Sequence, residues 1–260
     1  MANKEFSIAV FVLAKNEEQN IGRCLDSLKH SGWDAVILDS GSTDATRKIV
    51  SEFSFAEFRP YKYVDHCTAY NQITTDLGRV YQYVLVLDAD MVVSGALQKE
   101  ILGLINEAQA PSVIKSDVLM CVDGLPLEHG SLCPPKPIVF ATGSAYFVSS
   151  GHGERLHPAH VATRTREKLR HDDRKPYSVY LQSQLRYSQA LVKRKSSGNL
   201  TFRDRLRTKT PFLIFLVPFV SYVFKRGFMS GKAGGLYAID RLIAEAIMYR
   251  QSLSGKSGEM

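Results

Sequence analysis

The tripeptide Asp88-Ala89-Asp90 sets two carboxylates one residue apart, directly after the apolar run Val84-Leu85-Val86-Leu87. Such a pair can share a hard divalent cation, Mg2+ or Mn2+, with the oxygens of a phosphate ligand. An apolar strand that delivers two charges into a crevice does so at a desolvation cost, which sets the pair apart from solvated surface. Asp39 is placed likewise, after Ala35 to Leu38. Its carboxylate can accept from the imide N–H of a uracil or from a ribose hydroxyl, with Gly41 giving the loop room to bend, or it can cap its own turn. Glu17 also has two readings, a helix-start charge or a nucleotide contact. His171-Asp172-Asp173-Arg174-Lys175 combines two carboxylates with three potentially cationic groups just ahead of Pro176. That setting suits a general base taking a proton from an attacking hydroxyl; a charged helix start without a catalytic role is the alternative. His152 and Arg155 are further candidates to line the cleft.

The elements that must position these groups alternate. Phe6 to Leu13 reads as a strand buried on both faces; Asn16 is a suitable N-cap for a helix with Ile21, Cys24, Leu25 and Leu28 on one stripe. Ala35 to Leu38, a turn-rich loop and a helix carrying Ile49, Val50 and Phe53 follow. A helix at 67–77, a strand from Val80 to Leu87 and a Ser94-capped helix over Leu97 to Ala108 come next. This β–α alternation predicts a doubly wound, mostly parallel α/β sheet with ligands at the carboxyl ends of its strands. Strands at 112–122 and 137–149, the second broken by Gly143, predict an antiparallel portion. Residues 150–174 read as a long loop, and Pro176 opens a helix to Lys195. The organisation expected is a nucleotide-binding core over 1–150, an acceptor-side loop and basic helix over 151–210, and a helical tail over 211–260.

The chain has 260 residues, 45% hydrophobic and 23% charged, as in an ordinary globular protein. Its net charge of +7 is unevenly spread. Residues 1–110 carry 10 Lys/Arg against 15 Asp/Glu, whereas the remainder carries 23 against 11. A basic C-terminal half attracts phosphates, whether of nucleic acid, anionic lipid or an anionic substrate, a solvated face without a partner being the alternative. The zinc-finger, helix-turn-helix and aromatic ribonucleoprotein signatures of nucleic-acid binders are missing, so no nucleic-acid partner is expected. Cys24, Cys67, Cys121 and Cys133 form no CxxC pair, and the N-terminus shows no secretory pattern; both favour a reducing, cytoplasmic setting. From Phe212 to Phe224 the sequence is uncharged, and Lys225, Arg226 and Lys232 follow. As a helix these 13 residues reach about 20 Å, short of the roughly 30 Å hydrocarbon core. They predict a segment that bends at Pro218 and lies at an anionic membrane surface without crossing it, or else packs as core.

Ala14-Lys15-Asn16-Glu17-Glu18, Ile37-Leu38-Asp39-Ser40-Gly41-Ser42-Thr43-Asp44 and Leu87-Asp88-Ala89-Asp90, in that order, resemble glycosyltransferase family 2. His129-Gly130-Ser131, Pro134-Pro135-Lys136, Gly151-His152-Gly153 and the His171–Pro176 segment further resemble the bacterial branch that builds lipopolysaccharide core and exopolysaccharide. The resemblance implies a GT-A fold and inverting transfer from a nucleotide-diphosphate sugar, a UDP-sugar above others, to a hydroxyl of a lipid-linked saccharide. It implies that Ala14, Asn16, Glu17, Asp39 and Gly41 contact the nucleotide, Asp88 the ribose or metal, and Asp90 the metal. Asp173 is implied as the base with Asp172 the fallback, and His152, Arg155, Arg174 and Lys175 as acceptor or phosphate contacts. The setting implied is the cytoplasmic face of the bacterial inner membrane. Gln182-Ser183-Gln184-Leu185-Arg186-Tyr187 departs from the Gln-x-x-Arg-Trp motif of processive synthases, which favours single addition. Two rivals remain open: transfer to polyprenyl phosphate, and a non-catalytic module binding anionic lipid.

Overall fold

Strand β1 (Ile8–Ala14) carries no charge and feeds two cores at once: Val10, Val12 and Ala14 point into one, Ala9 and Phe11 into the other. That alternation is the pleat of a strand covered on both faces. The computed structural model describes residues 7–144, 146–150, 153–157, 162–198 and 200–254. Its contacts divide the chain into one unit of Met1–Leu119 with Cys133–Arg174 and another of Met120–Leu132 with Lys175–Met260, a division that falls at neither residue 150 nor 210.

In the first unit, β1 is followed by α1 (Ile21–Leu28), β2 (Asp34–Asp39), α2 (Thr46–Val50), β3 (Ala56–Pro60), α3 (His66–Gln72) and β4 (Tyr83–Asp88). Then come β5 (Met91–Val92), α4 (Gly95–Ile105) and β6 (Val113–Ser116). After β7 (Val118–Val122) and β8 (Leu125–Pro126), which lead through the other unit, the chain returns with β9 (Lys136–Ala141). Four short strands end the unit: β10 (Phe147–Ser150), β11 (Gly153–Leu156), β12 (Ala162–Arg164) and β13 (Leu169–His171). The main sheet runs β12-β6-β9-β4-β1-β2-β3, with β1 to β4 parallel and β9 antiparallel to both β4 and β6. The stripe Ile21, Cys24, Leu25 and Leu28 of α1 covers one face together with Leu97, Ile101 and Ile105 of α4, while Tyr70 and Ile73 cover the opposite face. The strand order places a crevice beyond the carboxyl ends of β1, β2 and β4. Ala14 pairs with Asp39 and Leu13 with Asp88, so both aspartates flank the end of β1.

Two local expectations are corrected here. Helix α1 begins at Ile21, not at Asn16, because the backbone of residues 16–18 is held by the neighbouring loop. The expected loop over 150–174 contains three short strands, whose few residues offer too little alternation to be legible.

The second unit holds α5 (Tyr177–Ser196), α6 (Phe202–Lys209), α7 (Leu213–Phe219) and α8 (Gly231–Ser254), with the β7–β8 hairpin. Part of its positive charge is consumed internally. Arg207 makes a two-pronged pair with the buried Glu245 at 2.8 and 3.0 Å, and Arg194 meets Asp204 at 3.3 Å. A π-turn at Val220–Phe224 follows Pro218, which lacks the N–H needed to continue the ladder. The chain axis bends by 69° between Leu213–Phe224 and Gly227–Ser254, so this bend lies in the break at Lys225 and Arg226, the latter at φ +59°. A Cβ on Gly234 would sit 1.8 Å from the Gly227 carbonyl oxygen, so only glycine lets α8 pack on that turn. Ser221 donates to the Gly130 carbonyl at 2.8 Å, fixing one side of the apolar segment. Its other side bears Phe212, Phe215 and Phe219, at 61%, 64% and 50% exposure. Among the described residues no single helix is long and apolar enough to cross a membrane.

Candidate active site

Two loops at the strand ends are laced by reciprocal bonds. Asn16 adopts φ +56°, which asparagine tolerates, so that its N–H reaches the Ser42 hydroxyl and its side-chain oxygen accepts from Thr43 N, both at 2.8 Å. Glu17 N donates to Thr46 Oγ1 at 2.8 Å, Glu18 N to Asp44 at 3.1 Å, and Ala45 N to Glu18 at 3.0 Å. Asp39, nearly buried, accepts from Gly41 N and Ser42 N at 2.9 Å and from the Ser42 hydroxyl. The turn-capping reading of Asp39 therefore describes the side chain as it stands; a carboxylate has about four acceptor positions, which leaves room for one ligand donor. Gly41, at φ +86°, makes that turn possible.

The two aspartates after β4 have different partners. Burial works against the ionised form of Asp88, but the Lys136 ammonium bonded to it, with His66 and His171 nearby, outweighs that and holds its carboxyl below the usual range. Lys136 comes from the antiparallel strand β9 and is itself held charged: desolvation opposes this, and Asp88 overcomes it. Asp90 instead faces His171 at 3.3 Å, because β5 and β13 pair with Met91 opposite His171. Beneath them, burial followed by the charges of Asp90, Asp88 and Glu17 pushes the Cys24 thiol far up, which excludes it as a nucleophile.

These residues fit a divalent cation that completes its shell with substrate. Asp90 and His171 offer one carboxylate and one imidazole from facing segments, a donor set that suits Mn2+ better than the harder, oxygen-seeking Mg2+, bound along with diphosphate oxygens. Among the described residues no group of three or more His, Cys, Asp or Glu could hold an ion alone.

The neighbouring carboxylates 172 and 173 separate cleanly. Asp172 is buried, and Arg174 grips both its oxygens at 2.7 and 3.0 Å while Arg170 adds a contact at 3.3 Å. Burial alone would raise its pKa, but the two guanidiniums, with Arg23, hold it low. Asp173 is exposed and accepts from Asn20 Nδ2 at 2.8 Å. The same Asn20 amide reaches Glu17 at 2.8 Å, linking the loop after β1 to the loop after β13.

The model of glycosyl transferase family 2 matches residues 9–116. Over that segment the chain is similar to family 2 glycosyltransferases. Its fold is also that of a mycobacterial protein of known crystal structure, at 16% identity over 72% of this chain and 74% of that one, with a TM-score of 0.51. Two further structures are similar: S. aureus TarS 1-349 in complex with UDP (14% identity, 97% and 92% covered, TM-score 0.48), and glucosyl-3-phosphoglycerate synthase from Mycobacterium tuberculosis in complex with Mn2+, UDP and glucosyl-3-phosphoglycerate (16%, 73% and 80%, 0.48). Against that synthase in complex with phosphoglyceric acid, the match spans 44% of each chain, at 20% identity and a TM-score of 0.38. No curated protein matched the sequence.

The main sheet brings Ala14, Asn16, Glu17, Asp39, Gly41, Asp88 and Asp90 to one end, the segment 171–173 joining them through Asp90 and Asn20. Arg174 is engaged with Asp172, and Lys175 belongs to the second unit. His152 and the side chain of Arg155 lie outside the described residues. Sequence reasoning missed three contributors: Lys136, which carries a charge to Asp88 from a distant strand; His171, read only as a cation; and Asn20, overlooked because Asn16 was assigned the cap. The start of the apolar stripe at Ile21 was the available signal for Asn20.

Proposed function

We propose that this protein is an inverting glycosyltransferase that moves one sugar from a UDP-sugar to a hydroxyl of a lipid-linked saccharide, at the cytoplasmic face of a bacterial inner membrane. The observation that carries the reading is the placement of Asp90 against His171 at 3.3 Å, at the end of β4 in the segment similar to family 2 glycosyltransferases. The UDP and Mn2+ named for the similar structures support the donor class.

Asp39 would receive the base or ribose through its remaining acceptor position, with Asn16 and Glu17 beside it. Asp88, kept ionised by Lys136, would meet the ribose, while Lys136 brings positive charge toward the diphosphate. Asp90 and His171 would hold Mg2+ or Mn2+, which supplies charge neutralisation at the leaving diphosphate. Asp173 would take the proton of the acceptor hydroxyl as that oxygen attacks the anomeric carbon from the face opposite the diphosphate. Asp172 stays ionised between its arginines and shapes the loop.

Membrane association rests on the second unit. Phe212, Phe215 and Phe219 form an exposed stripe at helical spacing, and Phe224, Phe228 and Met229 continue it at 73%, 52% and 55% exposure. Lys225, Arg226 and Lys232 flank it, as expected where lipid phosphates lie. The test is titration with UDP: Mn2+ should tighten UDP binding by tenfold or more in the wild type, and Asp90→Asn should lose that increment. UDP binding indifferent to both Mn2+ and Asp90→Asn would refute the assignment.

A further inference from the structure

Asn20 stands at the cap position of α1, where asparagine normally accepts from a first-turn backbone N–H; its side chain makes no such bond. It is 1% exposed and spends its whole capacity elsewhere. Nδ2 donates to Glu17 Oε2 and to Asp173 Oδ1, both at 2.8 Å, and Oδ1 accepts from Arg174 N and Arg23 Nη2, both at 2.9 Å. A carboxamide has two donors and two acceptor positions, and all four are used. The partners also fix which atom is nitrogen, since two are carboxylates and two are N–H donors. A cap surrendered for contacts some 150 residues away is the kind of local exception expected at a working site.

We propose that Asn20 is a positioning residue that registers the base Asp173 against the donor-side Glu17. The proposal rests on the reading of Asp173 as the base. Asp173 is exposed, and the neutral Asn20 amide holds one of its oxygens and so narrows its rotamers without adding charge. The loop itself has other anchors: Arg23 donates to the Asp172 carbonyl at 2.6 Å, Asp172 N donates to the Asp90 carbonyl at 2.9 Å, and Arg174 grips Asp172. Loss of Asn20 should therefore loosen the Asp173 carboxylate while those anchors keep the loop in place.

The experiment is a double-mutant cycle on kcat, with donor affinity and thermal unfolding measured in parallel. Asn20→Ala should lower kcat by about ten- to a hundredfold, in line with misplacement of a reacting group, while UDP affinity changes by no more than a few fold. Asn20→Asp keeps the shape and the acceptors for Arg23 and Arg174 but turns the donor side into an oxygen, and should be at least as slow. In an Asp173→Asn background, Asn20→Ala should cost nothing further, because the group it positions is gone. Both variants should lose some stability, because Asn20 is buried and fully bonded, so the cycle and the split between kcat and UDP affinity carry the test. Losses that multiply in the double mutant, or a UDP affinity that falls as far as kcat, would overturn the proposal. Full activity of Asp173→Asn alone would overturn it by a different route, by removing the base assignment on which it stands.

Discussion

Replacing each of the two adjacent aspartates by asparagine should produce opposite phenotypes. Asp172 is 4% exposed in its side chain and receives Arg174 at 2.7 and 3.0 Å and Arg170 at 3.3 Å. Hydrogen bonds to charged groups contribute about 1.5–3 kcal/mol each, and breaking a fully buried ion pair costs about 3–5 kcal/mol. Both arginines are about 40% exposed and can rehydrate, so the cost here falls below that range, at roughly 2–3 kcal/mol. For a chain of this size that lowers the unfolding midpoint by roughly 4–10 °C. Asp172→Asn should therefore unfold earlier yet retain most of its turnover at 20 °C. Asp173→Asn changes an exposed side chain, so its midpoint should move by no more than about 2 °C. Its kcat should fall by about a hundredfold or more. Scanning calorimetry and initial rates on the same preparations decide the matter. An unchanged midpoint for Asp172→Asn, together with a larger kcat loss than for Asp173→Asn, would exchange the two roles and refute the reasoning.

Replacing Phe212, Phe215 and Phe219 together by serine should reduce flotation with anionic vesicles by tenfold or more at an unchanged unfolding midpoint, since all three are at least half exposed; flotation equal to wild type would detach the stripe from the membrane. Asp44 tests the lacing of the two loops by pH. Burial opposes its ionisation, but the Thr46 hydroxyl and the N–H groups of Thr46 and Glu18 hold its carboxyl below the usual range. A depressed folded pKa contributes stability above the unfolded value of about 3.9 and loses it as pH falls through the folded value. Asp44→Asn should thus cost about 1 kcal/mol at pH 6 and progressively less toward pH 3 in urea unfolding; a pH-independent difference would contradict it.

Some parts of this molecule are written locally and others are not. The uncharged runs of β1, β2 and β4 announce buried strands because a strand covered on both faces has no use for polar residues, and the carboxylates that end β2 and β4 stand out against them. Ser94 caps α4 as its type predicts, with its hydroxyl accepting from Leu97 N at 3.1 Å. Asn16 and Asn20 show the limit. Both are good caps by type, yet Asn16 is drawn into a left-handed turn by Ser42 and Thr43, and Asn20 is drawn to Asp173, partners far off in sequence. The pairing of Lys136 with Asp88 likewise depends on β9 lying beside β4, which no local pattern reveals. Pro218 marks where α7 gives way to a π-turn, whereas the further bend of 69° at Lys225 and Arg226 depends on the close backbone approach that the glycines 227 and 234 permit, which the local sequence does not reveal.

The central claim is metal-assisted transfer from a UDP-sugar, and release of UDP under turnover measures it most directly. Wild-type protein supplied with a panel of UDP-sugars and Mn2+ should release UDP from at least one of them, slowly to water and faster with a saccharide acceptor. EDTA should abolish the release, excess Mn2+ should restore it, and Asp90→Asn should show neither response. Release that persists after exhaustive EDTA treatment, or that Asp90→Asn sustains at the wild-type rate, would contradict the account.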